Sequence, residues 1–176
     1  NCPELEIRIV DINENRINLW NSKDLNNLPV FEPGLAEIIE KVKDKNLFFS
    51  TKVEETIKES DMIFISVNTP IKQRGLGAGE ASDLRWVESC ARQISKIATG
   101  HTIVVEKSTL PVKTAQTIKD ILFSADVNDR SFTVLSNPEF LAEGTAIKDL
   151  EDPDRVLIGG DDKESMEVLR KIYLKW

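Results

Sequence analysis

Short apolar runs recur along the chain in a way that predicts buried strands. Six runs of four to six residues share this character, being mostly continuous and rich in Ile, Val, Leu and Phe: 6–10, 46–49, 62–67, 102–105, 132–135 and 155–158. Continuous rather than alternating hydrophobicity is typical of strands that are covered on both faces. We therefore predict six buried strands.

Three further segments have apolar residues at every third or fourth position, which is the period of an amphipathic helix. They are Leu84, Val87, Ala91, Ile94 and Ile97; Val112, Ala115, Ile118 and Leu122; and Val168, Leu169, Ile172 and Trp176. Strands that alternate with helices imply βαβ crossovers and a parallel sheet with helices on both faces. The predicted fold class is α/β, a Rossmann-like doubly wound parallel sheet that forms one domain over residues 1–176.

A glycine-rich stretch, residues 73–82, is predicted to be irregular. Gly75, Gly77 and Gly79 resemble a phosphate-binding turn, but the third glycine comes one residue too early for Gly-x-Gly-x-x-Gly and no strand leads directly into it. We predict instead a flexible loop before a helix that begins near Leu84, with Asp83 as its N-cap.

Composition and charge narrow the classes of partner. The 23 basic and 30 acidic residues give a net charge of -7, which disfavours binding to nucleic acid or to an anionic membrane surface. No apolar stretch approaches the roughly 20 residues that span a bilayer. The 176 residues, 40% of them hydrophobic, are enough for one core of ordinary domain size. We predict a cytoplasmic protein with neither nucleic-acid nor membrane partners.

Cysteine and histidine are too few for several common kinds of catalytic site. Cys2 and Cys90 lack metal-ligand spacing, and His101 is the sole histidine, so we predict neither a zinc site nor a Ser-His-Asp triad within the chain. Cys90 lies on the apolar stripe of a predicted helix, where a buried, inert thiol is expected.

An acidic residue ends the first predicted strand. In dinucleotide-binding units, an acid at the end of the second strand binds the ribose, about 20 residues after the glycine-rich turn. Only ten residues precede Asp11 and the first is Asn1 rather than Met, so we interpret the chain as the interior of a longer protein. In the strand order 3-2-1-4-5-6 the missing first strand is central, which predicts unpaired edges on the Asp11 strand and on the 62–67 strand.

Polar turns follow three of the predicted strands, at residues 68–70, 106–111 and 136–139. Ligands of open parallel sheets bind beyond the carboxyl ends of the strands, so these turns are candidates for one shared site. Thr109 and Asn137 have an alternative role as helix caps, since Pro111 and Pro138 follow them where early-helix prolines occur.

Two acids four residues apart, Glu139 and Glu143, lie on one face if their segment is helical. Stabilisation of the helix dipole, worth roughly 0.3 to 1 kcal/mol, is one explanation. Proton transfer to or from a bound substrate is the other, and composition does not decide between them.

The ordered motifs resemble the UDP-glucose/GDP-mannose dehydrogenase family. The matching blocks are Val10-Asp11-Ile12-Asn13 with Arg16, Glu32-Pro33-Gly34-Leu35, 64–70, 106–109, 135–146 and 153–160. The block Asn137-Pro138-Glu139-Phe140-Leu141 is specific to nucleotide-sugar dehydrogenases, and residues 46–51 look most like the UDP-glucose members.

This resemblance implies oxidation of UDP-glucose to UDP-glucuronate in two hydride transfers to NAD, through a thiol-bound intermediate. By similarity Asp11 holds the adenosine ribose with Arg16 close by, and the acid favours NAD over NADP. The residues expected to line the dinucleotide are Val67, Asn68, Thr69, Pro70, Ile71 and Ser108. Thr109 would position a water, Glu139 would be the acid/base residue and Glu143 would contact cofactor or substrate. Family members form dimers or hexamers, so a homo-oligomer is expected, with the loop at 75–79 near its subunit contacts.

The departures from the family are equally specific. The glycines of the phosphate-binding turn are not matched, and neither Cys2 nor Cys90 falls at the position of the nucleophilic cysteine. Without that thiolate the intermediate does not form, so we predict no dehydrogenase activity from these 176 residues alone. Two alternatives stay open: a sister enzyme for GDP-mannose or a UDP-N-acetylhexosamine, and a non-catalytic α/β scaffold domain.

Overall fold

A computed structural model describes residues 2–75, 78–108, 114–124 and 129–175. In chain order the elements are β1 (Ile7–Val10), α1 (Glu14–Trp20), a 3₁₀ helix (Leu25–Asn27), α2 (Leu35–Val42), β2 (Leu47–Ser50), α3 (Val53–Lys58), β3 (Met62–Ile65), α4 (Arg85–Ile97), β4 (Gly100–Glu106), α5 (Thr114–Phe123), β5 (Arg130–Ser136), α6 (Ala146–Glu151) and α7 (Lys163–Tyr173). Chain contacts divide these elements between two compact units, which are described separately below. The count of one domain stays a prediction.

The first unit consists of Asn1–Thr56, Phe140–Arg155 and Ile172–Trp176. Its sheet is a parallel pair in which Ile7 lies opposite Leu47 and Val10 opposite Ser50. Its core forms where the apolar sides of α1 and α2 meet β2, and it buries Ile17, Ile39 and Phe49. Trp20 at the end of α1 stacks on Phe49, with ring centroids 5.0 Å apart and planes 3° from parallel. This packing fixes the carboxyl end of β1 and the start of α1.

The second unit consists of Ile57–Glu139 and Val156–Lys171. Its sheet has the order β3-β4-β5, and all three strands are parallel. The central strand β4 buries Val104 and Val105 completely, and Ile118 of α5 is also fully buried. Helices α4 and α5 are tied by the Ser95 hydroxyl, which donates to the Leu122 carbonyl at 3.2 Å. The carboxyl ends of the three strands therefore lie at the same edge of the sheet, and the helices support the sheet.

The fold class is confirmed, and so are five of the six strands and the three amphipathic helices. Strand neighbours agree with the expected order, because β2 lies beside β1 and the other three strands follow in sequence. Within the described residues, β1 and β3 each pair on one side only. Ile7, Ile9 and Phe64 on these strands are 42 to 44% exposed, which is high for residues of a continuous apolar run. No helix in the described ranges is long and apolar enough to cross a membrane.

The sixth predicted strand, at 155–158, is wrong. This segment has no regular ladder, and a single antiparallel bridge joins Gly159 to Ser136, with both N–H···O distances 2.8 Å. The Leu157 carbonyl accepts a hydrogen bond from the Asn137 side chain at 2.8 Å instead of from a neighbouring strand. Val156 and Leu157 are 40% and 54% exposed, so the run is apolar without being covered on both faces.

The segment at 73–82 is irregular as predicted, although Leu76 and Gly77 lie outside the described residues. Ile71 bridges to Ser82, and the Lys72 N–H donates to the Ala81 carbonyl at 2.8 Å, so the two ends of the loop are paired. The assignment of Asp83 as the N-cap of α4 is wrong by one residue, because the cap is Leu84. The Asp83 carboxylate still accepts the Arg85 N–H at 3.1 Å and also binds the Arg85 guanidinium.

We expect Gly160→Ala to destabilise the protein by about 1 to 3 kcal/mol, because the added methyl group would overpack a core that is already filled. A Cβ at Gly160 would lie 2.6 Å from Leu135 Cδ2, and Leu135 is fully buried. The matched control is Gly159→Ala, where the nearest atoms lie 4.0 Å away and the effect should stay within about 0.5 kcal/mol. Thermal unfolding measures both. Equal effects of the two substitutions would contradict the packing argument.

Candidate functional site

The candidate ribose-binding residue stands at the carboxyl end of β1. The Asp11 N–H continues the pairing with β2 by donating to the Ser50 carbonyl at 3.3 Å. Its Oδ1 accepts the Asn13 N–H at 2.9 Å, and the Asn13 side chain in turn caps α1 by accepting the Arg16 N–H at 3.1 Å. Two short side-chain bonds therefore fix the turn, and Asp11 and Arg16 lie at the same end of α1. A half-buried carboxylate in this place fits the ribose diol of a dinucleotide.

The residues expected to line the dinucleotide lie in the second unit, beyond the ends of β3 and β4. The Ser108 hydroxyl donates to the Val67 carbonyl at 2.9 Å and approaches the Ile65 carbonyl at 3.4 Å, which ties the two strand ends together. The Pro70 carbonyl accepts the Asp83 N–H at 2.7 Å, and Ile71 is 53% exposed. The segment that also carries Asn68 and Thr69 is thus anchored at both ends. Its role in binding stays a prediction.

Glu106, the last residue of β4, received no role of its own in the prediction for residues 106–111. It lies opposite Ser136 of β5, whose hydroxyl donates to Glu106 Oε2 at 2.8 Å, and only 5% of the residue is exposed. Burial raises the pKa of the Glu106 carboxyl, and the Ser136 hydrogen bond offsets part of that rise. An acid that ends a continuous apolar run was the available signal.

We predict that Glu106 makes stability fall with rising pH. Because burial raises the pKa of Glu106 in the folded state, the folded chain holds its proton more tightly than the unfolded chain. The contribution is fully present below the ordinary Glu pKa of 4.5 and is lost as pH rises through the folded pKa. Unfolding by denaturant at several pH values should show a smaller loss in Glu106→Gln, while the exposed Glu80→Gln keeps the parent profile. An unchanged profile in Glu106→Gln would contradict this assignment.

Asn137 does not cap a helix, so that alternative is wrong. No helix follows it before α6, and its side chain is 1% exposed. Its Nδ2 donates to the Leu157 carbonyl at 2.8 Å, and Lys107 Nζ approaches its Oδ1 at 3.5 Å. Asn137 therefore joins the ends of β4 and β5 to the returning chain. This anchor immediately precedes Pro138 and the exposed Glu139.

The helical segment that would place Glu139 and Glu143 on one face does not form. Residues 137–142 are irregular, a turn occupies 143–145, and α6 begins only at Ala146. Gly144 in this turn has φ +87°, a left-handed conformation that side chains rarely adopt. Stabilisation of a helix dipole therefore does not explain Glu139, and its role in proton transfer stays a prediction. Both acids are exposed, Glu139 in the second unit and Glu143 in the first.

The structure thus brings together two sets of predicted residues. Asp11 and Arg16 share one end of α1 in the first unit, and the turns after β3, β4 and β5 share one edge in the second unit. Thr109 lies outside the described residues.

Burial raises the pKa of the Cys90 thiol, which keeps it protonated and makes it a poor nucleophile, as expected.

Comparison with known proteins identifies the family of the chain. Residues 3–176 match the family model of the UDP-glucose/GDP-mannose dehydrogenase family, NAD binding domain. UDP-glucose 6-dehydrogenase of Bos taurus is 52% identical over 99% of this chain and 36% of its own length, and UDP-glucose 6-dehydrogenase 1 of Arabidopsis thaliana is 54% identical with the same coverage. The chain therefore spans about a third of the length of the curated relatives it matches.

Two solved structures show the same fold. A UDP-glucose dehydrogenase from Pyrobaculum islandicum has TM-score 0.80 and 30% identity, over 96% of this chain and 38% of that one. A ternary complex of GDP-mannose dehydrogenase from Pseudomonas aeruginosa has TM-score 0.79 and 30% identity, over 97% and 39%. Together with the family match, these likenesses confirm the resemblance and identify NAD as the cofactor of the domain. The chain belongs to the UDP-glucose/GDP-mannose dehydrogenase family, and its residues 3–176 match the NAD-binding domain of that family.

Proposed function

We propose that this chain is the NAD-binding part of a UDP-glucose 6-dehydrogenase, which oxidises UDP-glucose to UDP-glucuronate. The observation that carries the proposal is the carboxylate of Asp11 at the carboxyl end of a parallel strand, held by Asn13 beside the start of α1. Relatives that are 52 to 54% identical carry this enzyme's name. Fold alone does not choose the sugar, because the GDP-mannose dehydrogenase structure matches almost equally well.

The overall reaction takes four electrons from C6 of the sugar. Oxidation of the alcohol to a carboxylate consumes one water and two NAD, and it yields two NADH and three protons. Each NAD, when bound, accepts one hydride. We assign Asp11 and Arg16 to the adenosine ribose, with residues 67–71 and Ser108 along the dinucleotide.

The remaining groups handle protons, water and contacts in this proposal. Glu139 takes up the proton that leaves the C6 hydroxyl as the carbon is oxidised. Thr109 orients the water that releases the product, and Glu143 contacts cofactor or substrate. Cys90 has no part in this proposal, because it does not fall at the position of the family's nucleophilic cysteine; burial also raises the pKa of its thiol.

The decisive experiment counts NADH per nucleotide sugar in the dehydrogenase that carries this chain. We expect two NADH for each UDP-glucose consumed, with much slower turnover of GDP-mannose and UDP-N-acetylglucosamine. Faster turnover of either of those sugars would assign the chain to a sister enzyme. Calorimetry with NAD on the same protein tests the scaffold alternative, which predicts no binding.

The same proposal includes a cytoplasmic homo-oligomer, a dimer or a hexamer. Mass photometry of the purified dehydrogenase measures its oligomeric state directly. A monomer at assay concentration would remove this part of the proposal and leave the chemistry intact.

A further inference from the structure

Glu32 makes a contact that no proposed role uses. Its Oε1 accepts the Gly144 N–H at 2.8 Å, and its Oε2 accepts the Ala146 N–H at 3.3 Å. All three residues belong to the first unit, although 112 and 114 residues of sequence separate the partners. Both carboxylate oxygens are therefore committed to the backbone of one distant turn. Hydrogen bonds from backbone N–H groups to an ionised carboxylate are among the stronger ones in proteins.

The backbone that carries Glu32 is itself fixed. Its carbonyl accepts the Leu35 N–H at 3.1 Å, which closes the turn into α2. Gly34 caps α2 with φ +86°, and a Cβ there would lie 3.9 Å from Ile147 Cδ1 of α6. A glycine in a left-handed conformation thus lies at ordinary contact distance from α6, and the Leu35 bond ties the backbone of Glu32 to the start of α2.

A second carboxylate, Asp149 in α6, also binds residues of this turn. Asp149 Oδ2 accepts the Ala142 N–H at 3.1 Å and the Thr145 hydroxyl at 2.8 Å. The Ala142 bond, followed by the Thr145 bond, holds the pKa of Asp149 below its usual value, so this acceptor is ionised at neutral pH. Asp149 sets the local shape of the turn, whereas Glu32 fixes where the turn lies against α2. Glu143 is the one acid between these four anchored residues.

We propose that Glu32 is a positioning residue for Glu143, which it holds toward its ligand by clamping the 142–146 turn. The inference rests on the proposed function, in which Glu143 contacts cofactor or substrate. It predicts that substitution of Glu32, a residue that does not touch the ligand, alters ligand binding. A loosened turn leaves the Glu143 carboxylate free to sample other directions, and binding then costs the entropy of ordering it again.

The experiment compares Glu32→Ala and Glu32→Gln in the dehydrogenase, with Glu40→Gln, an exposed acid of α2, as the matched control. Alanine removes both acceptors, whereas glutamine keeps one oxygen and turns an N–H₂ group toward the other donor. We expect Glu32→Ala to raise the KM of the ligand that Glu143 binds about tenfold, with Glu32→Gln intermediate and Glu40→Gln at the parent value. Calorimetry with NAD and with UDP-glucose should show which ligand loses affinity.

A double-substitution cycle separates positioning from a general structural effect. If Glu32 acts through Glu143, then adding Glu32→Ala to a Glu143→Gln enzyme should change KM and binding affinity little further. Full additivity of the two substitutions would overturn the inference, and so would an unchanged KM in both Glu32 variants. Should Glu32→Ala fail to fold, Glu32→Gln carries the same cycle.

The activity of the unmodified enzyme shows whether a negative result rejects the proposed function or only the Glu32 clamp. Oxidation of UDP-glucose by the parent together with additive Glu32 and Glu143 effects would reject the clamp and keep the proposed function. Absence of UDP-glucose oxidation in the parent would reject the proposed function and the clamp with it. Coupled effects in an active parent would support both.

Discussion

We expect Glu139→Gln to lower kcat for UDP-glucose oxidation by about 10² to 10³-fold, with a much smaller change in KM. Glutamine keeps the shape of the side chain but does not accept a proton, so only the step that needs a base is slowed. Glu139 stands directly after the anchor formed by Asn137, and no helix begins near enough to explain its charge by a dipole. Steady-state NADH formation across a range of pH measures the effect. The variant should lose the pH dependence that this carboxyl imposes.

Glu151→Gln is the matched control, since Glu151 is an exposed acid at the end of α6. It should leave kcat and the pH profile at the parent values. A Glu139→Gln enzyme that retains more than about a tenth of the parent kcat would show that another group accepts the proton.

We expect Asp11→Asn to raise the KM for NAD by about 10 to 100-fold and to reduce the preference for NAD over NADP. Hydrogen bonds to a charged acceptor are worth about 1.5 to 3 kcal/mol, which corresponds to that range. The amide also removes the negative charge that opposes a 2′-phosphate. The Asp11 N–H donates to the Ser50 carbonyl whatever the side chain, and the amide oxygen of asparagine can still accept the Asn13 N–H, so the substitution removes the charge and keeps the turn. Kinetics with both cofactors measure the two effects.

Glu14→Gln provides the comparison for Asp11, because Glu14 is an exposed acid in the first turn of the same helix. It removes one charge from the same end of α1 without altering the strand terminus. Equal increases of KM in the two variants would show that net charge near α1, and not the Asp11 carboxylate itself, governs NAD binding.

Local pattern was sufficient for most of the strands. The five confirmed strands are apolar runs whose hydrogen bonds go to a neighbouring strand, so hydrophobicity and pairing agree. The run at 155–158 has the same composition, but Asn137 takes the carbonyl of Leu157 and leaves no ladder there. This bond from a buried side-chain amide takes the place of a ladder hydrogen bond, and it is a tertiary contact. A local pattern of apolar residues cannot predict such a contact.

In the candidate site, too, some features could be predicted from the local sequence and others depend on distant contacts. Asp11 could be predicted because a strand end and an acid are adjacent in sequence, and its capped turn is equally local. The segment between Glu139 and Glu143 could not be settled from the sequence, because the turn that ends it is bonded to Glu32, more than 100 residues away. The left-handed Gly144 was visible in the sequence as a glycine, but its bond to the distant Glu32 was not, while Asp149 shapes the turn locally.

The stacking of Trp20 on Phe49 gives the first unit an optical label of its own. Trp20 is packed against a buried core, whereas Trp86 on α4 is 52% exposed and is already in contact with solvent. Loss of the first unit's packing should therefore shift fluorescence emission to longer wavelength, while solvation of Trp86 changes little. The difference in emission between the parent and a Trp20→Phe variant gives the Trp20 signal, so that packing around α1 can be followed without measuring turnover.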